Sequence, residues 1–449
     1  MISFKISVIG AGSAVFSLNL IKDLVLTPNL YGATLTLMDV NVERLNAVYS
    51  LLNLFAKETD AKLIIEKTTD RKKALEDADF VINTALAAGH DRLREGWSIA
   101  LSLGYRFGGS FHIMHDEAFW INFYQFKLFE SIMEDILDIC PDAWYVQLSN
   151  PVLAGITYLG RKYPEARIVG LCHGYRAVYH LAGILHLEKE KIGFSAPGLN
   201  HFIWLVEFRY GDENAFPILD TWIERGADEY WRTCPPSDLA GPKAVDLYKR
   251  FGAFPLGDTC TPGGGAWPWW YHVDDETESR WREDPRSWWE GYFSWLKARV
   301  DDLIAFARKP SSSVFEKFGH ERSNEDVVQL IESIACDVPR VFQVNIMNKG
   351  NLVSTIPSNF EVEVPALVDG RGIHGIQAGS LPKRVLAYAL RDRVAPVETE
   401  LEAYEAGDRS KLVELVMMDP WTRSQEQAEE LVKKILDLPY HAEMKVHYK

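Results

Sequence analysis

Lys5-Ile6-Ser7-Val8-Ile9-Gly10-Ala11-Gly12-Ser13-Ala14-Val15 is the stretch that decides the fold. Residues 5–9 read as a buried parallel strand. A glycine pair follows, then apolar positions at helical spacing through Leu18, Leu20, Ile21, Leu24 and Val25. Gly10 permits a tight turn, and Gly12 lets backbone approach a pyrophosphate. A helix beginning near Ser13, Ala14 and Val15 offers N–H groups and the positive end of its dipole to phosphates. Val15 stands where a strict fingerprint has Gly or Ala. A second run, Thr34-Leu35-Thr36-Leu37-Met38, ends in Asp39. That acid is placed to accept from ribose hydroxyls, which favours NAD+ over NADP+. Arg44 lies close by and leaves room for a 2′-phosphate. The alternative is an accidental glycine turn in another α/β fold, but the flanking strand, helix and acid-tipped strand favour a dinucleotide site.

The parallel sheet continues outward. Phe80-Val81-Ile82 leads into Asn83-Thr84, and Trp144-Tyr145-Val146-Gln147-Leu148 leads into Ser149-Asn150-Pro151. Ile168-Val169-Gly170 leads into Cys172. Parallel strands end on one edge, so Asn83, Asn150 and Cys172 share the edge of the glycine turn, where such folds bind ligands. Cys172-His173-Gly174 and Asn200-His201 each place a metal-capable side chain after an apolar run. A thiolate and an imidazole from two elements could share one divalent ion and leave positions open for substrate. A buried packing cysteine is the alternative.

The expected fold class is α/β: a Rossmann-like parallel sheet domain over 1–195 and an α+β domain over 196–449. Within the second, 202–210 reads as one strand, 222–251 as mostly helical and Gly263-Gly264-Gly265 as a mobile loop. Residues 292–308 and 381–406 read as helices, 340–345 and 360–364 as strands, and 412–418 and 424–438 as C-terminal helices.

Bulk properties exclude some classes. The 449 residues carry a net charge of −15, from 63 acidic against 48 basic residues. That argues against nucleic-acid and anionic-membrane partners. Five cysteines without tight spacing do not make a disulfide framework, and a reducing, cytoplasmic setting is expected. No apolar run is long enough for a membrane span. The 14 tryptophans suit sugar rings, cores and subunit interfaces equally.

At this level of detail the chain resembles glycoside hydrolase family 4, the NAD- and metal-dependent glycosidases. The resemblance rests on the opening strand and glycine turn, Asn83-Thr84, Ser149-Asn150-Pro151, Cys172-His173-Gly174, Asn200-His201 with Trp204, and Gly257-Asp258-Thr259. Asn348-Lys349-Gly350, the 364–369 stretch and Gly372-Ile373-His374 continue it in the family's order. It implies a lactate/malate dehydrogenase-like architecture, bound NAD+ and Mn2+, and a homodimer or homotetramer. It also implies elimination and addition through a transient ketone, with hydride leaving sugar C3 and later returning. His173 after Cys172 resembles the branch acting on unphosphorylated α-glucosides or α-uronides. Residues 104–117 and Cys260-Thr261-Pro262 depart from that branch's pattern and bear on the substrate pocket.

Under this resemblance Cys172 and His201 are the metal ligands. His173 is the acid for the leaving group, or an orienter of Cys172. Asp258 is the base at C2, or an orienter of water or metal. Asn150 and Asn200 bond sugar hydroxyls. Gly10, Gly12, Ser13, Ala14, Val15, Asp39, Arg44, Asn83 and Thr84 line the NAD+ site. The cluster His112, His115, Asp116 and Glu117 reads as pocket or interface lining, with a separate metal site as the alternative. Residues 267–271 wall a sugar site or fill the core. Arg92, Arg106 and Arg286 are candidates for a uronate carboxylate. The other readings are α-glucuronidase or α-galacturonidase, a malate- or lactate-type dehydrogenase without metal, and a non-catalytic NAD- or sugar-binding protein.

Overall fold

The computed structural model describes residues 4–323, 325–377 and 379–449. Strand β1 (Lys5–Ile9) runs into the glycine turn and helix α1 (Ala14–Val25). Then come β2 (Thr34–Met38), helix α2 (Val42–Thr59), β3 (Ile64–Thr68), β4 (Phe80–Asn83), helix α3 (Phe119–Ile139), β5 (Trp144–Gln147) and β6 (Arg167–Gly170). These six strands are parallel in the order β6-β5-β4-β1-β2-β3, the double winding in which ligands bind at the carboxyl edge beside β1 and β4.

The second half extends this sheet and adds a small second one. It contributes β7 (Ile192–Ser195), β8 (Gly198–Leu199), β9 (Phe202–Leu205), β10 (Glu207–Tyr210), β11 (Glu213–Asn214), β12 (Phe254–Leu256), β13 (Arg340–Met347), β14 (Glu361–Asp369) and β15 (Gly372–Gly375). β13 pairs antiparallel with β6 at Asn345 and Gly170, and β14, β8, β9 and β12 extend the sheet further. β10, β7 and β11 form a separate three-stranded sheet.

The central strands are buried on both faces, as a covered parallel sheet requires. Ile6, Val8, Ile82 and Val146 face one apolar layer, while Ile9, Val81 and Tyr145 face the other. The first layer is closed partly from the second half: Leu303 and Phe306 of α4 (Pro285–Arg308), Phe315, and Val328 and Ile331 of α5 (Val327–Ala335) lie in it. Each such Leu or Ile contributes roughly 1.5–3 kcal/mol by leaving water. Among the described residues no helix is long and apolar enough to cross a membrane.

Three local expectations are corrected. The 202–210 run is two strands in two sheets: β9 pairs with β8 and β12, β10 pairs with β7, and the chain changes sheets at Val206. Residues 381–406 are not one regular helix. Lys383–Ala389 and Ala395–Ala406 flank a wide turn, Leu390–Val394. Pro396 cannot donate a backbone hydrogen bond to Asp392. That carbonyl instead accepts from the Arg393 guanidinium at 3.0 Å. Finally, the Gly263–Gly265 loop is a packed turn. A Cβ on Gly264 would lie 1.5 Å from the Asp258 carbonyl oxygen, and one on Gly265 2.8 Å from the Phe111 ring.

Candidate active site

The glycine turn is pinned from below. Gly10 N and Ala11 N donate to the Met38 carbonyl at 2.9 and 3.0 Å. Gly10 takes φ +85, and a Cβ there would meet Ala85 backbone at 2.6 Å, so glycine is required. Asp39 accepts from Gly12 N and from Asn41 N, each at 2.7 Å. A cleft of about 380 Å³ opens beside it, lined by Asn41, Glu43, Arg44, Val300, Ile304 and Arg308 among others. Ser13 caps α1 with its backbone and makes no side-chain cap bond. Ala14 and Val15 open that helix, and their side chains lie outside the described ones.

Asn83 and Thr84 hold the turn. Asn83 is fully buried, donates to Tyr145 Oη at 2.8 Å and accepts from Ala85 N. Thr84 Oγ1 donates to the Gly10 carbonyl at 2.9 Å. Gln125 of α3 ties neighbouring edge loops together, accepting from Ala87 N and donating to the Asn150 carbonyl.

Cys172, His201 and Asp258 lie on this same edge. Cys172 is free and half-buried, and burial, with help from Glu363 and Asp258, pushes its thiol well above the usual range. His201 sits at φ +57, a left-handed conformation uncommon outside glycine, at the end of β8. Such strain, of order 1–3 kcal/mol, persists where surrounding structure fixes it and clusters at functional sites. Burial lowers the His201 imidazole to about 4, so the ring is neutral and can ligate a metal. Asp258 occupies the turn Gly257–Thr259, where Thr261 Oγ1 donates to its Oδ1 at 2.7 Å. It lies against the Cys172–Gly174 turn, where a Cβ on Gly174 would stand 3.7 Å from Cys172 Sγ and 3.8 Å from Asp258 N, and its charge bears on Cys172, His173, His201, His115 and Asp116.

Asn150 donates to Asp116 Oδ2 at 3.2 Å. Asn200 is fully buried; its Nδ2 donates to Glu363 Oε2 at 3.2 Å and its Oδ1 has no partner. Glu361 and Glu363 alternate on β14, so both point to one face beside Asn200. Burial raises both, Glu363 to about 8.

The 112–117 cluster enters this centre, and sequence reading undervalued it. His115 is fully buried, stacks on Phe111, and its Nε2 lies 2.8 Å from the Gly263 carbonyl. Glu117 Oε1 lies 3.5 Å from His201 Nδ1. His112 instead pairs with Glu400 at 3.1 Å. Arg393, also unforeseen, is buried with its guanidinium 3.7 Å above the Phe111 ring. The 267–271 run divides. Trp267 is core, packed on Phe202 and Trp204, while Trp269 and Trp270 are part-exposed.

His173 is 57% exposed, and its Nδ1 lies 3.4 Å from Glu325 Oε1. Hydrogen bonding to Glu325 raises it to about 9. A raised histidine contributes stability present below about pH 6.5 and lost as pH climbs through about 9. Exposure screens that contribution, so the effect to measure is the titration itself. An NMR titration of the His173 ring is expected to centre near pH 9, and Glu325→Gln to move it downward. A midpoint unmoved by Glu325→Gln would remove Glu325 as the cause.

Comparison with known proteins covers most of the chain. The profile described as Family 4 glycosyl hydrolase matches residues 5–185, and its C-terminal domain profile matches 196–422. The chain belongs to glycosyl hydrolase family 4. This family 4 hydrolase is 28% identical over 452 residues to an alpha-glucosidase of Erwinia rhapontici, covering 92% of this chain and 93% of the relative. It is 27% identical to an alpha-galactosidase of Bacillus subtilis, covering 97% of each. It is 25% identical to an alpha-galacturonidase of Thermoanaerobacterium saccharolyticum, covering 96% and 95%. Among solved structures, a Bacillus subtilis protein described as a glucosidase, lplD, superposes with TM-score 0.81 at 23% identity, covering 97% of this chain and 100% of that one. A 6-phospho-alpha-glucosidase from gut microorganisms, solved with NAD and Mn2+, gives 0.78 at 19%, covering 97% and 98%. Malate dehydrogenase of Plasmodium falciparum gives 0.51 at 14%, covering 90% and 98%, so the dehydrogenase-like architecture holds at the level of fold. The glycosidase membership sets aside the dehydrogenase and non-catalytic readings.

Proposed function

We propose that this family 4 hydrolase cleaves unphosphorylated α-glucosides with NAD+ and a divalent metal, Mn2+ foremost, by elimination and addition. The observation that supports this reading is the packing of the Gly257–Thr259 turn against Cys172-His173-Gly174, with a Cβ on Gly174 3.7 Å from Cys172 Sγ and 3.8 Å from Asp258 N, at the end of β6, on the sheet edge that also bears the Gly10–Gly12 turn.

The residues fit both groups. At the glycine turn a Cβ on Gly12 would fall 2.7 Å from Asp39 Oδ2, so a side chain there would displace the acid meant for the ribose. The cleft beside Asp39 suits the adenosine end. For the metal, His201 Nδ1 and Glu117 Oε1 are buried polar atoms without hydrogen-bond partners. When bound, NAD+ supplies a hydride acceptor for sugar C3 and the metal supplies a Lewis acid for the 2- and 3-oxygens.

His201 holds the metal in this reading, with Cys172 as the ligand that the family motif pairs with it. Asp258 takes the proton from C2. His173, protonated through its contact with Glu325, gives a proton to the departing glycosidic oxygen. Asn150 turns from Asp116 toward a sugar hydroxyl. Asn200 is held by Glu363 and orients Cys172 from beneath. The α anomer follows the names of the relatives. A neutral sugar follows the names of two relatives, alpha-glucosidase and alpha-galactosidase, while Arg106 is engaged by Asp275 at 2.8 Å and Arg92 lies over the Tyr124 and Tyr440 rings.

The test is hydrolysis of 4-nitrophenyl α-glycosides, neutral, uronic and 6-phosphorylated, by reduced protein with NAD+ and Mn2+ each added or withheld. Cleavage of a neutral hexoside that needs both additions is expected. Cleavage indifferent to NAD+, or confined to phosphorylated sugars, overturns the reading.

A further inference from the structure

Helix α4 turns its two faces to different surroundings. Trp289 is buried and anchors the helix inward, meeting the Trp97 ring at 5.3 Å and the His115 ring at 5.9 Å. Trp288, Tyr292, Trp295 and Arg299 follow one another at helical spacing along another face. Tyr292 is 37% exposed and Trp295 46%. Large aromatic side chains left in solvent as a continuous row mark a binding surface.

The row is a staircase. Trp288 and Tyr292 stack with centroids 5.4 Å apart and planes at 15°, and Tyr292 and Trp295 at 6.1 Å and 25°. Faces in van der Waals contact stand roughly 3.5–4 Å apart. Each ring is therefore displaced sideways from the next and keeps part of its face open. At the outer end the Arg299 guanidinium lies 5.9 Å from the centre of the Trp295 ring. From Trp288 to Trp295 the helix rises about 10 Å. The inner end reaches the catalytic turn. A Cβ on Gly263 would stand 2.7 Å from Asp258 Oδ1 and 3.4 Å from Trp288 Cη2, so Gly263 alone separates the carboxylate from the first ring. The Tyr292 phenol is raised to about 12, by burial first and then by the charges of Asp116 and Asp258. It stays protonated at neutral pH in acidic surroundings, which suits hydroxyl groups and disfavours an anionic ring.

We infer that Trp288, Tyr292 and Trp295 form a platform for the leaving group, and that this group is an uncharged oligosaccharide. A sugar ring offers an apolar C–H face to an aromatic ring and hydroxyls at its edge. One aryl group or one hexose covers a single step, whereas a chain of sugars follows the steps outward from the bond being cleaved. The contact at Gly263 sets the row apart from a surface reserved for a second copy of the chain, which has no need to begin at the catalytic turn. The inference rests on the glycosidase reading above and adds to it the class of substrate.

The probe is maltotriose, a neutral α-linked trisaccharide, added to the full-length protein without NAD+ and followed by saturation-transfer NMR. Transfer is expected to reach the two residues toward the reducing end, and to fall there in Trp295→Ala. With NAD+ and Mn2+ present, the ratio of kcat/KM for maltotriose to that for methyl α-glucoside is expected to drop about tenfold in Trp295→Ala. Trp295→Phe keeps a ring and should bring the ratio back to within about threefold of wild type. Thermal melts show that each variant is folded. Absence of transfer to the reducing-end residues, transfer unmoved by Trp295→Ala, or an unchanged ratio overturns the inference. So does sedimentation of a wild-type oligomer that Trp295→Ala splits, which would make the row a subunit contact. Maltotriose bound with the expected dependence by a protein that cleaves no glycoside would sink the proposed function and leave the platform standing.

Discussion

Asp258→Asn is expected to lower kcat by about 10³-fold, within the 10²–10⁴-fold range for a lost general base. KM should move by less than tenfold, because the variant keeps the shape that binding uses. The reason is geometric. Asp258 Oδ1 already accepts from Thr261 Oγ1 at 2.7 Å, and an amide oxygen can accept the same bond. The main chain is held independently: Gly257 lies so close to the Gly174 carbonyl that a Cβ would fall 2.3 Å from it, and Gly264 covers the Asp258 carbonyl. His201 also remains neutral, since Asp258 acts to raise it and removing that charge lowers it further. The His173 value should fall, because Asp258 is among the charges raising it. What is lost is the basic oxygen. With substrate deuterated at C2, the isotope effect on kcat should grow in the variant as proton removal becomes limiting. A variant within tenfold of wild type would take the base role away from Asp258.

The first half of this fold could be read because each of its signals is local. Strand, glycine turn and acid-tipped strand fall within residues 5–39, and β4 and β5 are short runs buried on both faces. The second half could not, because its strands are defined by distant partners. Residues 202–210 carry no turn residue, and only pairing with Ser195 on one side and Leu256 on the other divides them. The same distinction governs the site. Cys172, His201 and Asp258 stood out through the motifs that contain them, and the fold carries all three to the same edge. Glu117 and His115 were visible as a polar cluster but looked like the start of a helix. Their meaning depends on His201, which arrives from a different strand. Glu361 and Glu363 did leave a signal, two acids two apart in an otherwise apolar strand, which puts both on one buried face. Arg393 left none, because it follows an ordinary helical pattern and is buried by Phe111 and Phe202.

Gly264→Ala is expected to destabilise the protein by about 3 kcal/mol or more, at the upper end for an overpacked site. A Cβ there would lie 1.5 Å from the Asp258 carbonyl oxygen and 2.4 Å from its carbonyl carbon, distances no side-chain rotation can relieve. Either the Pro262–Gly264 turn or the Gly257–Thr259 turn must move. The second cannot move freely, since Thr259 Oγ1 is bonded to both Ile203 N and Ile203 O in β9. The displacement therefore falls on Gly263 and Asp258 together. Gly263 holds His115 through its carbonyl, and Asp258 is the base, so one methyl group disturbs both sides of the centre. Displacing a reacting group by about 1 Å can remove roughly 10²-fold in rate, and activity should fall by at least that factor even at temperatures where the variant is folded. Gly291→Ala is the control: it lies within α4, a Cβ there meets nothing within 4 Å, and the change should stabilise by up to about 1 kcal/mol. Thermal melts and initial rates of the three proteins check both effects. Wild-type melting of Gly264→Ala would mean that the two turns can separate, and that the carbonyl of Asp258 is not what fixes its carboxylate among the ligands.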